Sequence, residues 1–250
     1  MAQPFSTRLR VLTALPLEID PDEVLRFQGY KKAVDRPGPE VLALLDEALA
    51  LGRALIAPRA VVRWLGVSRL GAGTIETGGV VLTIPSVDRL WGPIEWLAAA
   101  VCTIGDELER RVAELWEARE LPLAAMLDSV GSGAVESLAE YVNDLFCQEA
   151  IPLGLPVTNR VSPGYGSWDV RQQTALFAIC PGDPIGVGLN EACFMTPVKS
   201  ISLLAAAGAR AKVDHYFSQC ARCWMRDCAY RRTPARKSVH RKPSSPPSRE

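Results

Sequence analysis

The 250-residue sequence has no apolar run long enough to span a bilayer as a helix, which takes about 20 residues. Its first residues, MAQPFSTRLRVLTALPLEID, lack the apolar stretch of a secretory signal. Both absences lead to the expectation of a soluble, cytoplasmic protein with no membrane partner. GAGTIETGG (71–79) has the glycines of a phosphate loop but not its Lys-Ser/Thr ending, which argues against nucleoside-triphosphate binding. No internal repeat is present. Histidine is limited to His215 and His240, and the formal net charge is +0.

That zero hides an asymmetry. The last twenty residues, RRTPARKSVHRKPSSPPSRE (231–250), hold seven of the 28 Lys and Arg and one of the 28 acidic residues. The remainder is therefore mildly acidic, with 21 basic against 27 acidic residues. Rich in Pro, Ser and Arg, the tail has little to bury and is expected to be disordered. A basic tail is able to touch nucleic acid or an acidic partner, but a solubilising extension is the plainer reading, and no nucleic-acid partner is expected. Seven cysteines without an export signal argue against a disulfide framework. Cys102, Cys147, Cys180 and Cys193 sit in apolar or mixed segments and read as small core residues.

A hydrophobic content of 48% supports a sizeable core. RLRVLTALPLEI reads as extended. Asp20 and Pro21 then start a short helix that Gly29 ends. EVLALLDEALALGRALIAP has apolar residues at helical spacing, with Pro58 closing it. AVVRWLGV and TIETGGVVLTI are rich in Val, Ile and Thr and predict strands in a hairpin. IEWLAAAVCTIG is apolar enough for a buried strand or a buried helix, which periodicity does not separate. DELERRVAELWEAR predicts a helix with acidic residues in its first turn and an apolar face of Leu108, Val112 and Leu115. LPLAAMLDSVGSGAVESLAEYVNDLFCQEA predicts a second, longer helix. Its Gly131, Ser132, Gly133 and Ala134 suit close approach by another element. WDVRQQTALFAI predicts a short helix capped by Ser167. GDPIGVGLNEACFMTP predicts a turn and a strand, and KSISLLAAAGA another strand. The fold class expected is α+β, one domain with a mixed or antiparallel sheet and long helices. Its divisions are an N-terminal extended piece and helices (1–60), an α+β body (61–230) and the basic tail (231–250).

One stretch is neither helix nor strand: RVSPGYGSWD, Arg160 to Asp169. Arg160 offers a planar five-donor fork for a carboxylate or phosphate. Gly164 lets a ligand approach backbone N–H groups. Tyr165 and Trp168 provide flat faces for an aromatic ring or a cation. Pro163 stiffens the loop and lowers the cost of ordering it on binding. Taken alone, the plainer account is a Pro-Gly turn with its aromatics folded into the core.

Neighbouring segments change that balance. Arg160-Val-Ser-Pro-Gly-Tyr165, then LNEACFMTPVKSIS with Glu191, Met195, Pro197, Ser200 and Ser202, and the pair AAAVCTIGDELERRVAEL and LDSVGSGAVESLAEYV together cover about residues 95 to 205. Over that span the chain resembles the activation domain of cobalamin-dependent methionine synthase, which binds S-adenosylmethionine. The resemblance implies that domain's α+β fold and a ligand site at Arg160, Pro163, Gly164, Tyr165 and Glu191. Arg160 would pair with the methionyl carboxylate, and the loop backbone would hold the adenosyl part. Cobalamin would sit on a partner, either the cobalamin-binding modules of methionine synthase or another corrinoid protein, with a flavoprotein as electron donor. The metal is the nucleophile in such chemistry, so no catalytic residue is assigned to this chain. The chain resembles free-standing forms of the domain, since homocysteine, folate and cobalamin modules do not fit in 250 residues. It departs from the family in two ways. LLAAAG follows Ser202 where the family has aromatics, and the family's acidic N-terminal ligand residue has no counterpart.

Cys220, Cys223 and Cys228 form a C-x2-C-x4-C pattern, with His215 five residues upstream. Closely spaced thiolates suit zinc or an iron–sulfur cluster, and His215 is a candidate fourth ligand. The plainer account is reduced thiols and a surface histidine. Two alternatives to S-adenosylmethionine binding therefore stand: a non-catalytic module that docks on a corrinoid protein, and a metal or redox module built on these cysteines.

Overall fold

Eight strands and six helices are present in the structure, a computed structural model that describes residues 4–31 and 34–213. They follow the order β1 (Arg10–Thr13), α1 (Pro21–Phe27), α2 (Pro39–Leu55), β2 (Arg59–Gly71), β3 (Thr74–Thr77), β4 (Val80–Thr83), α3 (Val87–Trp91), β5 (Trp96–Thr103), α4 (Glu107–Glu117), α5 (Leu121–Ala150), α6 (Gln173–Ile179), β6 (Gly188–Leu189), β7 (Met195–Thr196) and β8 (Ser200–Ala207). The main sheet is antiparallel, in the order β4-β3-β2-β5-β8, with β1 added against the first residues of β2. β2 is long because it serves two neighbours in succession: β1 pairs with residues 59–62 and β3 with residues 67–71. A bulge between Val67 and Arg69 interrupts the second stretch, and bulges of this kind bend and twist a strand.

The apolar segment at 94–105 is a strand. In β5 seven of eight residues are buried, so both faces are covered and the usual in–out alternation vanishes. Ala98, Ala100 and Cys102 face one core with α1, α2, α4 and α5. Leu97, Ala99 and Val101 face a second core with α3, α6 and Trp168. TIETGGVVLTI is two strands, β3 and β4, joined by Gly78 and Gly79. Both have positive φ, +56° and +76°, which a two-residue turn of this kind demands and glycine supplies without strain.

α5 runs the full length expected from sequence. Fifteen of its 30 residues are buried, more than one stripe, because α1, α2, α4 and the sheet all pack on it. Small residues make this possible. A Cβ on Gly131 would lie 2.8 Å from Leu108 of α4 and 3.1 Å from Lys199. Lys199 is itself 8% exposed, and its ammonium reaches Asp128 at 2.8 Å and Ser132 Oγ at 2.9 Å, so the entry to β8 is fastened to α5. One sequence expectation is corrected. Ser167 does not cap the helix after the 160–169 loop. Asp169 does, accepting from the Arg171 N–H at 2.9 Å at the start of a short 3-10 turn that leads into α6. Asp169 is favoured there because a carboxylate both accepts the N–H and pairs with the Arg171 side chain.

The first sixty residues share the main core rather than forming a layer of their own. Phe5 stacks on Trp64 with ring centroids 4.0 Å apart, and Ile19, Val24 and Leu25 join the same cluster. At the far end of α5, Glu149 accepts from Trp64 Nε1 at 2.7 Å and pairs with Arg10 at 2.7 Å. Trp64 is 1% exposed, so its indole N–H has no recourse to water if that carboxylate is removed. Glu149→Ala is therefore expected to lower stability by about 1–3 kcal/mol, the cost of a buried donor left unmatched. Urea unfolding checks this, and an unchanged midpoint would show that the Trp64 N–H finds another acceptor.

Candidate functional site

The loop at 160–169 is held at three places. Upstream, the chain runs antiparallel along β8: the Val161 N–H donates to the Leu204 carbonyl at 2.8 Å and Leu204 returns the bond at 2.8 Å. Thr158 makes the same kind of contact with Ala206. Inside the loop, the Gly164 N–H donates to the Trp168 carbonyl at 2.9 Å, with Gly164 at φ +88°. Downstream, Trp168 is 5% exposed and packs in the second core. Of the two aromatics, then, Trp168 is an anchor, as the plainer sequence account had it. Tyr165 stands out at 44% exposure.

Arg160 and Tyr165 converge on a residue the sequence reading did not single out. Glu136, from the middle of α5, accepts from Arg160 at 2.8 Å and from the Tyr165 hydroxyl at 3.1 Å. The Arg160 and Glu136 side chains are 17% and 18% exposed, so the pair is shielded more than a surface ion pair. Glu140, one helical turn on, lies 4.0 Å from Arg160. A signal was available: Glu136 and Glu140 are acidic residues in the otherwise small and apolar run GSGAVESLAEY. Sequence separation hid their partner, 24 residues away from Glu136.

A cleft of about 130 Å³ opens beside this pair. Val135 and Glu136 of α5, Ser162, Pro163 and Tyr165 of the loop, Gln173 at the start of α6, Met195 of β7 and Ser200 to Ser202 of β8 line it. Three of the residues expected from sequence, Arg160, Pro163 and Tyr165, are thus at or beside one cleft, and Gly164 lies in the loop between the last two. Glu191 is elsewhere, in the exposed turn between β6 and β7. Asn190 organises that turn by accepting from the Ala192 and Phe194 N–H groups. Leu203 to Ala207, where aromatics were absent from the sequence pattern, form the buried body of β8.

Cys220, Cys223, Cys228 and His215 lie outside the described residues, as does the basic tail. Among the described residues, no group of three or more His, Cys, Asp and Glu is placed to hold a metal, and no helix is long and apolar enough to cross a membrane.

The architecture is an α+β domain in which a curled antiparallel sheet carries helices on both faces. No family model matches the chain, and no curated protein matches it in sequence. In three dimensions it matches the solved structure described as the MetH reactivation domain bound to AdoHcy, with a TM-score of 0.58 over 85% of this chain and 81% of that one. Identity is 15%, so the likeness establishes a shared fold.

Cysteine placement yields a direct test. Cys102 and Cys180 are fully buried, whereas Cys147 and Cys193 are partly accessible. Burial pushes the Cys180 thiol up to about 12 and raises that of Cys102 as well, so both stay protonated at neutral pH. Iodoacetamide at pH 8 is expected to label Cys147 and Cys193 but to spare Cys102 and Cys180 in the native protein. Peptide mass mapping reads the result, and labelling of Cys180 as fast as Cys193 would contradict this packing.

Proposed function

We propose that this chain binds S-adenosylmethionine at the cleft beside Arg160 to Tyr165 and supports reductive methylation of a corrinoid held by a partner. One observation carries the reading. The Arg160–Tyr165 loop, found from sequence by its resemblance to a ligand loop, closes on a cleft within a fold shared with a domain described as bound to AdoHcy.

The residues present suit such a ligand. Arg160 supplies planar donors for the methionyl carboxylate. Glu136 holds Arg160 and Tyr165 in place and sets a negative charge where a sulfonium would gain from it. Gly164, at positive φ, lets the loop backbone approach the adenosyl part without a side chain intervening. The cleft volume is below the roughly 300–1,000 Å³ of pockets that enclose a whole ligand. Part of the ligand would therefore lie along the open rim formed by Pro163, Gly164 and Tyr165. Glu191, carried over from the resemblance, is not among the cleft-lining residues, and the proposed binding does not rest on it.

The chemistry belongs to the two cofactors. Arg160, Tyr165 and the loop backbone would hold S-adenosylmethionine, which would supply the methyl group, and the partner's corrinoid, reduced by a flavoprotein, would supply the nucleophile. This chain's share is to bind and orient. The partner is a cobalamin-binding module of a methionine synthase or another corrinoid protein. A second reading, a docking module for such a partner that does not bind the ligand, is favoured by the small cleft and by the aliphatic residues after Ser202.

Calorimetry separates the two. The wild-type protein is expected to bind S-adenosylmethionine, and Arg160→Ala to weaken binding roughly 10- to 100-fold, since removing a charged hydrogen-bond partner costs about 1.5–3 kcal/mol. No heat of binding from folded wild-type protein would exclude the first reading and leave the docking module.

A further inference from the structure

A buried hydroxyl without a partner and a buried amide lie together at the cleft. Ser162 is 2% exposed, and its hydroxyl has no hydrogen-bond partner. Alanine would fill the same place without burying an unmatched group, so serine there costs stability and contributes nothing to packing. Its residue lines the cleft, and its hydroxyl turns about a single χ1 bond. Gln173 is 4% exposed. Its amide oxygen accepts from Ser202 Oγ at 2.6 Å, which turns its two N–H donors away from Ser202. Gln173 also lines the cleft.

We infer that Ser162 and Gln173 form a subsite that reads the polar edge of a neutral aromatic base, the amino-substituted edge of adenine. The inference rests on the reading of this cleft as the S-adenosylmethionine site. Three features select that chemistry. First, the lining residues include one carboxylate, Glu136, and no cation, and Arg160 beside the cleft is assigned to the methionyl carboxylate, so the rest of the lining suits a neutral group. Second, Pro163, Val135, Ile201 and Met195 give the cleft apolar walls, which suit the faces of a flat ring better than a hydroxyl-studded sugar. Third, the polar groups pair in the required sense. The Gln173 N–H donates to a ring nitrogen, and the Ser162 oxygen accepts from an adjacent exocyclic amine. A 6-oxo base sets a ring N–H against the Gln173 donor, whereas the Ser162 hydroxyl, both donor and acceptor, meets an amine or a carbonyl, so Gln173 carries the discrimination.

The test compares S-adenosylhomocysteine with S-inosylhomocysteine by calorimetry on the full chain. Wild-type protein is expected to prefer the adenosyl compound by about tenfold or more, because a site built to hydrogen-bond one pattern rejects its inverse. Ser162→Ala should weaken binding of both compounds while leaving the ligand-free thermal midpoint unchanged or raised. Gln173→Glu, which replaces the donor by an acceptor, should shift the preference toward the inosyl compound, an outcome a merely structural role does not produce. Equal binding of both compounds by wild type, a full preference retained in Gln173→Glu, or undiminished binding in Ser162→Ala overturns the subsite while leaving S-adenosylmethionine binding in place. Binding of neither compound by wild type overturns the subsite together with the reading on which it rests.

Discussion

The contact between α5 and the central strands is the constraint on which the rest of this structure depends. The helix lies against strands whose facing residues are small, Ala98 and Ala100 in β5 and Ala205 and Ala207 in β8. Its own Gly131, Gly133 and Ala134 are buried among its neighbours. Gly131 admits Leu108 and Lys199, Gly133 admits Val24 and Ile19, and packing this close leaves a helix little room to slide or rotate. Lys199 then pins the entry to β8 against Asp128 and Ser132 of the helix. Because α5 is placed so tightly, Glu136 is placed too. Arg160 and Tyr165 take their positions from that carboxylate, and the loop takes its shape from them.

The site is thus a by-product of core packing carried to the surface at one point. α5 and β8 build the main core along most of their length, and the cleft opens where they part and the loop crosses. Such a site resists distortion, because moving Glu136 means moving a helix that is half buried. It is also assembled from segments far apart in the chain. Glu136, the 160–165 loop, Gln173, Met195 and Ser202 meet only when the fold is complete. A ligand that bridges them would bind the native state and not the unfolded chain, and so would stabilise the fold by mass action.

Polar groups follow two regimes here. Trp64 Nε1 and the two terminal nitrogens of Arg10 meet the Glu149 carboxylate and tie β1 and β2 to the end of α5. Ser162 buries a hydroxyl with nothing to match it. The first pattern is how a fold disposes of polar atoms it must bury. Arg10 Nε, Arg59 Nε, Asn143 Oδ1 and Trp168 Nε1 are also buried without a partner, and among these groups in the described residues Ser162 alone belongs to the cleft lining.

Long periodic segments were legible without coordinates. α5, α4 and α2 carry enough turns for their apolar spacing to be unambiguous, and Gly78-Gly79 marks its hairpin turn because few other residues tolerate two successive positive φ values. Arg160, Pro163, Gly164 and Tyr165 stood out because Pro and Gly break both periodicities and leave the residues around them unexplained. β5 was ambiguous because a strand buried on both faces loses its alternation. The start of α6 was misplaced because Ser167 and Asp169 are both capable caps, and only the backbone geometry chooses between them. Tertiary structure alone decided that Trp168 belongs to the core, that Glu191 is not among the cleft-lining residues, and that Arg160 and Tyr165 meet on Glu136. These are facts about distance across the fold. Local sequence encodes which groups are able to hydrogen-bond or pair, while the packing of α5 on the sheet decides which of them meet.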